Sequence, residues 1–159
     1  MNHPVRRKDR AITEEEARGV LERGEYGVLA TCGHDGQPYG VPLSYVVMNG
    51  AVYIHCAQSG RKLDNIAANP AVSFTVVGPT KPVYDSGFST YYESAVIFGK
   101  AREITDEKEK RESLMRLAEK YLPEDMDKAE AAITRSFSRT AVYAIAIETV
   151  TGKAKRKKQ

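Results

Sequence analysis

GQPYGVPLSYVVMNGAVYIHCAQSGRKLDNIAANPAVSFTV, residues 36–76, sets the reading of the chain. Asn49-Gly50 between two apolar, β-branched runs is the strongest short hairpin signal. It predicts strands over 39–48 and 51–56. Gly60-Arg61-Lys62 then opens a short helix that Asn69-Pro70 closes, and AVSFTVV (71–77) reads as a further strand.

Working outward, Thr13-Glu14-Glu15-Glu16 has the form of a capping box, with a helix to Arg23 that turns Ala17, Val20 and Leu21 to one face. YGVLATC (26–32) is expected as a strand, ended by the turn signal GHDGQP. Residues 78–88, GPTKPVYDSGF, read as a loop able to cover a cleft. A long strand follows over 89–104, with a bend or bulge at Gly99. Thr105 is placed as the cap of a helix through Tyr121, Pro123 breaks it, and 125–136 continues as another helix. The last strand, 140–150, is apolar on both faces. Its small residues Ala144 and Ala146 leave room for a second layer, a second subunit among the candidates.

Six strands with antiparallel connections and peripheral helices define the expected fold: a β-dominated, six-stranded antiparallel split barrel with flanking helices. The expected organisation is an N-terminal arm over 1–12, one domain over 13–150 and a disordered basic tail over 151–159. The 159 residues suffice for one core. Net charge is +3, but the tail supplies five cations, and without it 19 Lys and Arg face 21 Asp and Glu. The body is therefore no polyanion binder, and specific nucleic-acid binding is not expected. No apolar run reaches the length of a membrane span, and no secretory signal is expected behind the N-terminal basic residues. Two cysteines, Cys32 and Cys56, fit reduced thiols in a cytoplasmic protein.

Common catalytic sets are missing. His3, His34 and His55 lack metal-ligand spacing, so no metal site is expected, and neither a hydrolase elbow nor a common nucleotide loop occurs. Gly60-Arg61-Lys62 remains. The first N–H groups of a helix have no intrahelical partner and carry partial positive charge, which favours an anion. Arg61 adds a planar fork of donors and Lys62 a mobile point charge, a pair suited to a terminal phosphate. An ordinary solvent-facing helix start has the same composition.

Four segments in order, RRKDRAIT (6–13), GEYGVLAT (24–31), IHCAQSGRKLDNI (54–66) and TYYESAVIFGKARE (90–103), resemble the flavin-binding split barrels related to pyridoxamine 5′-phosphate oxidase, and within them the nitroimidazole-resistance (Nim-type) branch. The resemblance covers roughly residues 5–150. It implies a homodimer with FMN, FAD being the alternative, in clefts between subunits. Arg61 and Lys62 would hold the flavin phosphate, with His55 and Cys56 beside the ring. Val41, Leu43, Ser44 and Tyr45 would line the isoalloxazine, through backbone groups as much as side chains, and Ser94 would contact the flavin. Tyr91 and Tyr92 would reach across the dimer. Each has a plainer alternative as packing: His55 satisfying a carbonyl, Cys56 and the tyrosines in the core or an interface.

The implied activity is that of a flavin-dependent oxidoreductase, nitroreductase-like, taking electrons from a reduced nicotinamide or similar donor and passing them to a nitroaromatic or quinone. His55 is the candidate proton donor. The chain lacks the Arg-Leu-x-Pro type ending of the true oxidases, which argues against oxidation of pyridoxamine phosphate. Arginine also stands at 61, where Nim-type relatives commonly carry histidine. Two other classes stay open: a flavin carrier or sensor without turnover, and a small-barrel nucleic-acid binder using the tail.

Overall fold

The computed structural model describes residues 4–84 and 86–157. His3, Asp85 and Lys158 therefore lie outside the described residues. In chain order the elements are β1 (Ala11–Ile12), α1 (Glu14–Arg23), β2 (Gly27–Cys32), β3 (Pro38–Leu43), β4 (Val46–Met48), β5 (Ala51–Ala57), α2 (Arg61–Ala68), β6 (Ala71–Val77), β7 (Lys81–Tyr84), β8 (Phe88–Glu103), α3 (Glu107–Tyr121), α4 (Met126–Ser136) and β9 (Thr140–Lys155).

One antiparallel path, β3-β2-β6-β8-β9-β5-β4, holds the sheet, with β1 added to β9 and β7 to β8. Its two end strands are consecutive in the chain, joined only by Ser44 and Tyr45. Laid flat, seven strands would put those edges about 29 Å apart at ~4.8 Å per pairing. The chain from Leu43 to Val46 spans at most about 10 Å. The sheet must therefore curl until its edges nearly meet, which is a split barrel.

That crossover corrects the single strand expected over 39–48. Residues up to Leu43 pair with β2, residues from Val46 pair with β5, and the chain changes partners between them. The predicted hairpin turn is present, with Asn49 and Gly50 both at positive φ, 51° and 72°. The Gly99 bulge is present too: register shifts between Phe98 and Gly99, and a Cβ at Gly99 would stand 1.7 Å from the Ala146 carbonyl oxygen. The capping box at Thr13 and Glu16 forms as read, whereas α3 is capped by Asp106 rather than Thr105.

Two further expectations change. Residues 78–88 are not all loop, since β7 pairs with the start of β8 over Lys81–Tyr84. Residues 151–155 are not disordered tail, since β9 runs to Lys155. There Lys153 and Gly152 pair with Ala11 and Ile12, which draws the N-terminal arm into the sheet. Arg156 beyond it pairs with Glu16 and Glu93, and the Lys155 ammonium donates to the Ser89 hydroxyl.

Alternation sorts the core. Leu29, Phe74, Val76, Val52, Ile54, Ile97 and Ile145 point into the barrel, and α1 closes it with Ala17, Val20 and Leu21. On the opposite face of β5 and β9, Tyr53, Val142 and Ala144 pack against Leu114, Leu117 and Ile133 of the α3–α4 hairpin. The second layer over β9 thus comes from the chain itself at these positions. Each fully buried Leu, Ile or Phe contributes about 1.5–3 kcal/mol by leaving water. Among the described residues, no helix covers the outer face of β2, β6 and β8, where Val28, Val77 and Phe98 are 37%, 52% and 53% exposed.

Candidate functional site

Curling leaves a seam. β3 pairs with β2 alone, and β4 pairs with β5 only as far as Tyr53. The outer edge of β3 and the stretch from Ile54 to Ala57 thus lack a strand partner on the sides that face the seam, so their backbone donors and acceptors remain for a ligand.

α2 begins just beyond that stretch. Leu63 and Ile66 bury its inner face, and Asn65 fixes its place by donating from Nδ2 to the Thr31 hydroxyl at 3.0 Å. Its N-cap, Gly60, holds φ at 130°, which an L side chain rarely adopts, and has no side-chain cap. The Gly60 carbonyl accepts from the N–H groups of Leu63 and Asp64, leaving those of Arg61 and Lys62 outside the helical ladder. The start of α2 thus carries two N–H groups outside the ladder together with a guanidinium, which reaches toward Asp35, and an ammonium, whose charge acts on Cys56.

Arg61 is not idle there. It stands 3.4 Å from an Asp35 carboxylate oxygen and over the Tyr39 ring, 5.4 Å to the centroid. Both charged side chains are about half exposed, so the pair is weak and a phosphate can displace it. Neither Asp35 nor Tyr39 stood among the sequence candidates. The turn HDGQPY (34–39) adjoins α2 only through the tertiary fold.

The other predicted residues divide. His55 and Cys56 occupy opposite faces of β5. Cys56 shares the inner face with Ile54, near Lys62, Glu103 and Tyr143. Burial raises its thiol pKa, Lys62 opposing and Glu103 adding to the shift, so it stays protonated near neutral pH. His55 turns to the α3–α4 side. Its outer edge is exposed, yet partial burial lowers its pKa and keeps the imidazole neutral near pH 7. Ser44, exposed at the crossover, joins it in one cavity of about 290 Å³.

Val41 and Leu43 pack against the barrel core, so β3 presents backbone to the seam rather than these side chains. Tyr45 is a correction. It is fully buried, its hydroxyl donates to the Leu21 carbonyl, and its ring meets Phe74 edge-on at 5.0 Å. The Lys120 ammonium, buried without a hydrogen-bond partner among the described residues, lies 3.8 Å from the centre of the Tyr45 ring. Burial lowers the Lys120 pKa, and the ring face offsets part of the cost of that charge. Tyr121 completes the clasp: its hydroxyl accepts from the Tyr45 N–H at 3.0 Å and lies 2.6 Å from the Glu25 carbonyl, its acceptor. The Tyr45 side chain therefore positions the crossover from within the core.

Ser94 pairs with Val77 and Lys153, while Tyr91 and Tyr92 pair with Lys81 and Lys155. That row lies past Gly27–Leu43, whereas Arg61 reaches Asp35, past Cys32–Pro38 at the opposite end of the sheet. One chain does not bring these three residues to Arg61. Among the described residues, no helix is long and apolar enough to cross a membrane, and no cluster of three or more His, Cys, Asp or Glu is placed to hold a metal.

Known proteins share this architecture. A candidate 5-nitroimidazole antibiotic resistance protein from Bacteroides thetaiotaomicron superposes with a TM-score of 0.74 at 23% identity, over 90% of this chain and 85% of that one. The flavocytochrome Anf3 from Azotobacter vinelandii gives 0.83 at 21%, over 98% and 73%. An FAD-binding protein from Mesorhizobium loti gives 0.65 at 26%, over 92% and 98%. No curated protein matches the sequence. The pyridoxamine 5′-phosphate oxidase family profile matches residues 13–154. With that match and the seam described above, the chain belongs to the FMN-binding split-barrel family related to pyridoxamine 5′-phosphate oxidase.

Proposed function

We propose that this protein is an FMN-dependent oxidoreductase that works as a homodimer and reduces a small oxidised acceptor such as a nitroaromatic or a quinone. The observation that carries the reading is the start of α2, where two unladdered N–H groups and the consecutive cations Arg61 and Lys62 follow directly on an unpaired strand edge. These groups fit a phosphate beside a planar, hydrogen-bonding ring. FMN combines those two parts; FAD extends the same phosphate into a longer ligand. A flavin, when bound, accepts a hydride from a reduced nicotinamide and delivers the two electrons onward.

This chain's own residues do the rest. Arg61 leaves Asp35 for the phosphate, and the backbone of β3 and of Ile54 to Ala57 orients the ring. A neutral His55 offers one N–H and one lone pair, so it relays a proton from solvent to the reduced acceptor. The uncovered face of β2, β6 and β8 supports the dimer: Ser94 shares its outward alternation with Phe98 and Val77. Ser94, Tyr91 and Tyr92 then join the site only from a second copy. The tail cations Lys155 and Arg156 are already engaged, which disfavours nucleic-acid binding as the function.

The test is an absorbance scan of the purified protein with mass analysis of the released cofactor, followed by mixing with reduced nicotinamide and then a quinone. A flavin spectrum that bleaches and recovers supports the proposal. A flavin that never bleaches favours a carrier, and a haem band or a protein that takes up no flavin overturns it.

A further inference from the structure

The cavity of about 290 Å³ opens on the His55 face of β5, opposite the face that Cys56 presents toward Lys62. It lies between β5, the crossover at Ser44 and the α3–α4 hairpin. Leu114, Leu117 and Ile133 wall it with apolar surface. Three hydroxyls on its rim face inward duties: Ser136 donates to Ala132 or Ile133 carbonyls, Thr140 to the Ser136 carbonyl, and Tyr121 to Glu25 or Tyr45. Among the described residues, no side-chain hydrogen bond engages His55 or Ser44. Its lining includes no lysine, arginine, aspartate or glutamate.

We propose that this cavity is a binding site for an uncharged, single-ring molecule, which packs against the hairpin leucines and hydrogen-bonds to His55 and Ser44. As the acceptor's site it rests on the flavin reading above, but the binding itself does not need a flavin. Three features carry it. The volume is about twice the ~150 Å³ that accommodates benzene in an apolar protein cavity, room for one ring with substituents. The two unengaged polar groups are neighbours, since the Val46–Tyr53 register continued by two residues sets Ser44 across from His55, so a ring with a single polar substituent satisfies them and leaves its body against the leucines. An anion would surrender its hydration without gaining a cation, so charge is selected against. The pocket is preformed because the Tyr121–Tyr45 clasp fixes the end of α3 against the crossover.

The experiment titrates the full-length protein, as isolated and without electron donor, with 4-nitrobenzyl alcohol and with 4-nitrobenzoate, a matched uncharged and anionic pair. Ligand-detected NMR reads affinity. The alcohol is expected to bind at least about tenfold more tightly. Ala132→Phe, at the exposed rim on α4, fills the cavity and should weaken the alcohol by about tenfold without changing flavin content. His55→Lys places a cation at the polar end and should shift the preference toward the benzoate by about tenfold. Equal affinity for the two probes, or an unmoved preference in His55→Lys, overturns the inference. If Ala132→Phe folds and still binds the alcohol normally, the inference also falls. If the protein takes up no flavin yet binds the alcohol with this pattern, the oxidoreductase reading fails and the cavity assignment stands.

Discussion

The start of α2 and the α3–α4 cavity lie off the same short strand and are opposite in character. At α2, cations and unladdered N–H groups open toward solvent, and Arg61 pairs with Asp35. At the hairpin, leucines and an uncharged imidazole enclose a volume without a formal charge on its walls. β5 separates the two because its side chains alternate: Cys56 faces inward toward Lys62, His55 outward toward the helices. One strand end can thus hold a charged cofactor group and a neutral second ligand without either environment spoiling the other. The price is that neither half is complete in sequence, since each borrows from an element far along the chain.

The sharpest way to break this contrast is to discharge one side. Arg61→Ala with Lys62→Ala removes two charge-assisted contacts of about 1.5–3 kcal/mol each. FMN affinity in a fluorescence titration should fall by about two to four orders of magnitude, while alcohol binding at the hairpin is unchanged. Unchanged FMN affinity would remove the phosphate assignment.

Tyr121→Phe acts on the other side. It strips the buried Tyr45 N–H of its acceptor, and stability should drop by about 1–3 kcal/mol in a denaturant melt. FMN affinity should hardly move, because α2 is anchored separately through Asn65 and Thr31. A larger loss of FMN than of stability would mean the two sites are mechanically joined.

Asp35→Asn frees Arg61 from its surface partner. Because such pairs contribute about 0.2–1 kcal/mol, FMN should bind only a few-fold more tightly. Weaker binding in this variant would show that Asp35 orients Arg61 rather than competing for it.

The smallest effect is in pH. The folded-state pKa of His55 lies below its unfolded value of about 6.5, so the unfolded chain binds the proton more readily. Stability from this group is complete above that unfolded value and is lost as pH falls through the lower folded pKa. His55→Gln should flatten that part of the stability profile; an unchanged slope would mean the imidazole is solvated in the fold.

Much of this was legible beforehand, for identifiable reasons. The Asn49-Gly50 hairpin, the Thr13–Glu16 capping box, the Gly99 bulge and α2 are local: a few adjacent residues decide each by dihedral preference or by reach. That α2 starts at Arg61 and Lys62 was legible because Gly60 before it and Asn69-Pro70 after it mark the helix ends locally. Tyr45 was not, because aromatic residues on a strand look alike whether they stack on a ligand or plug a core. What decided it was Lys120 and Tyr121, some 75 residues on, closing over it. The tail misled in the same way. GKAKRKKQ has the composition of a solvated end, but Gly152 is buried against Ile12 and Ala17, so the strand continues.

By itself the sequence determined the antiparallel strands, the helix caps and a cationic helix start after the third long strand, since all of these follow from neighbours along the chain. Only the tertiary structure decided where the sheet opens, which face of β5 each side chain takes, and that Asp35 meets Arg61. Those depend on register and curl, which are properties of strands paired across the whole chain rather than of any one stretch.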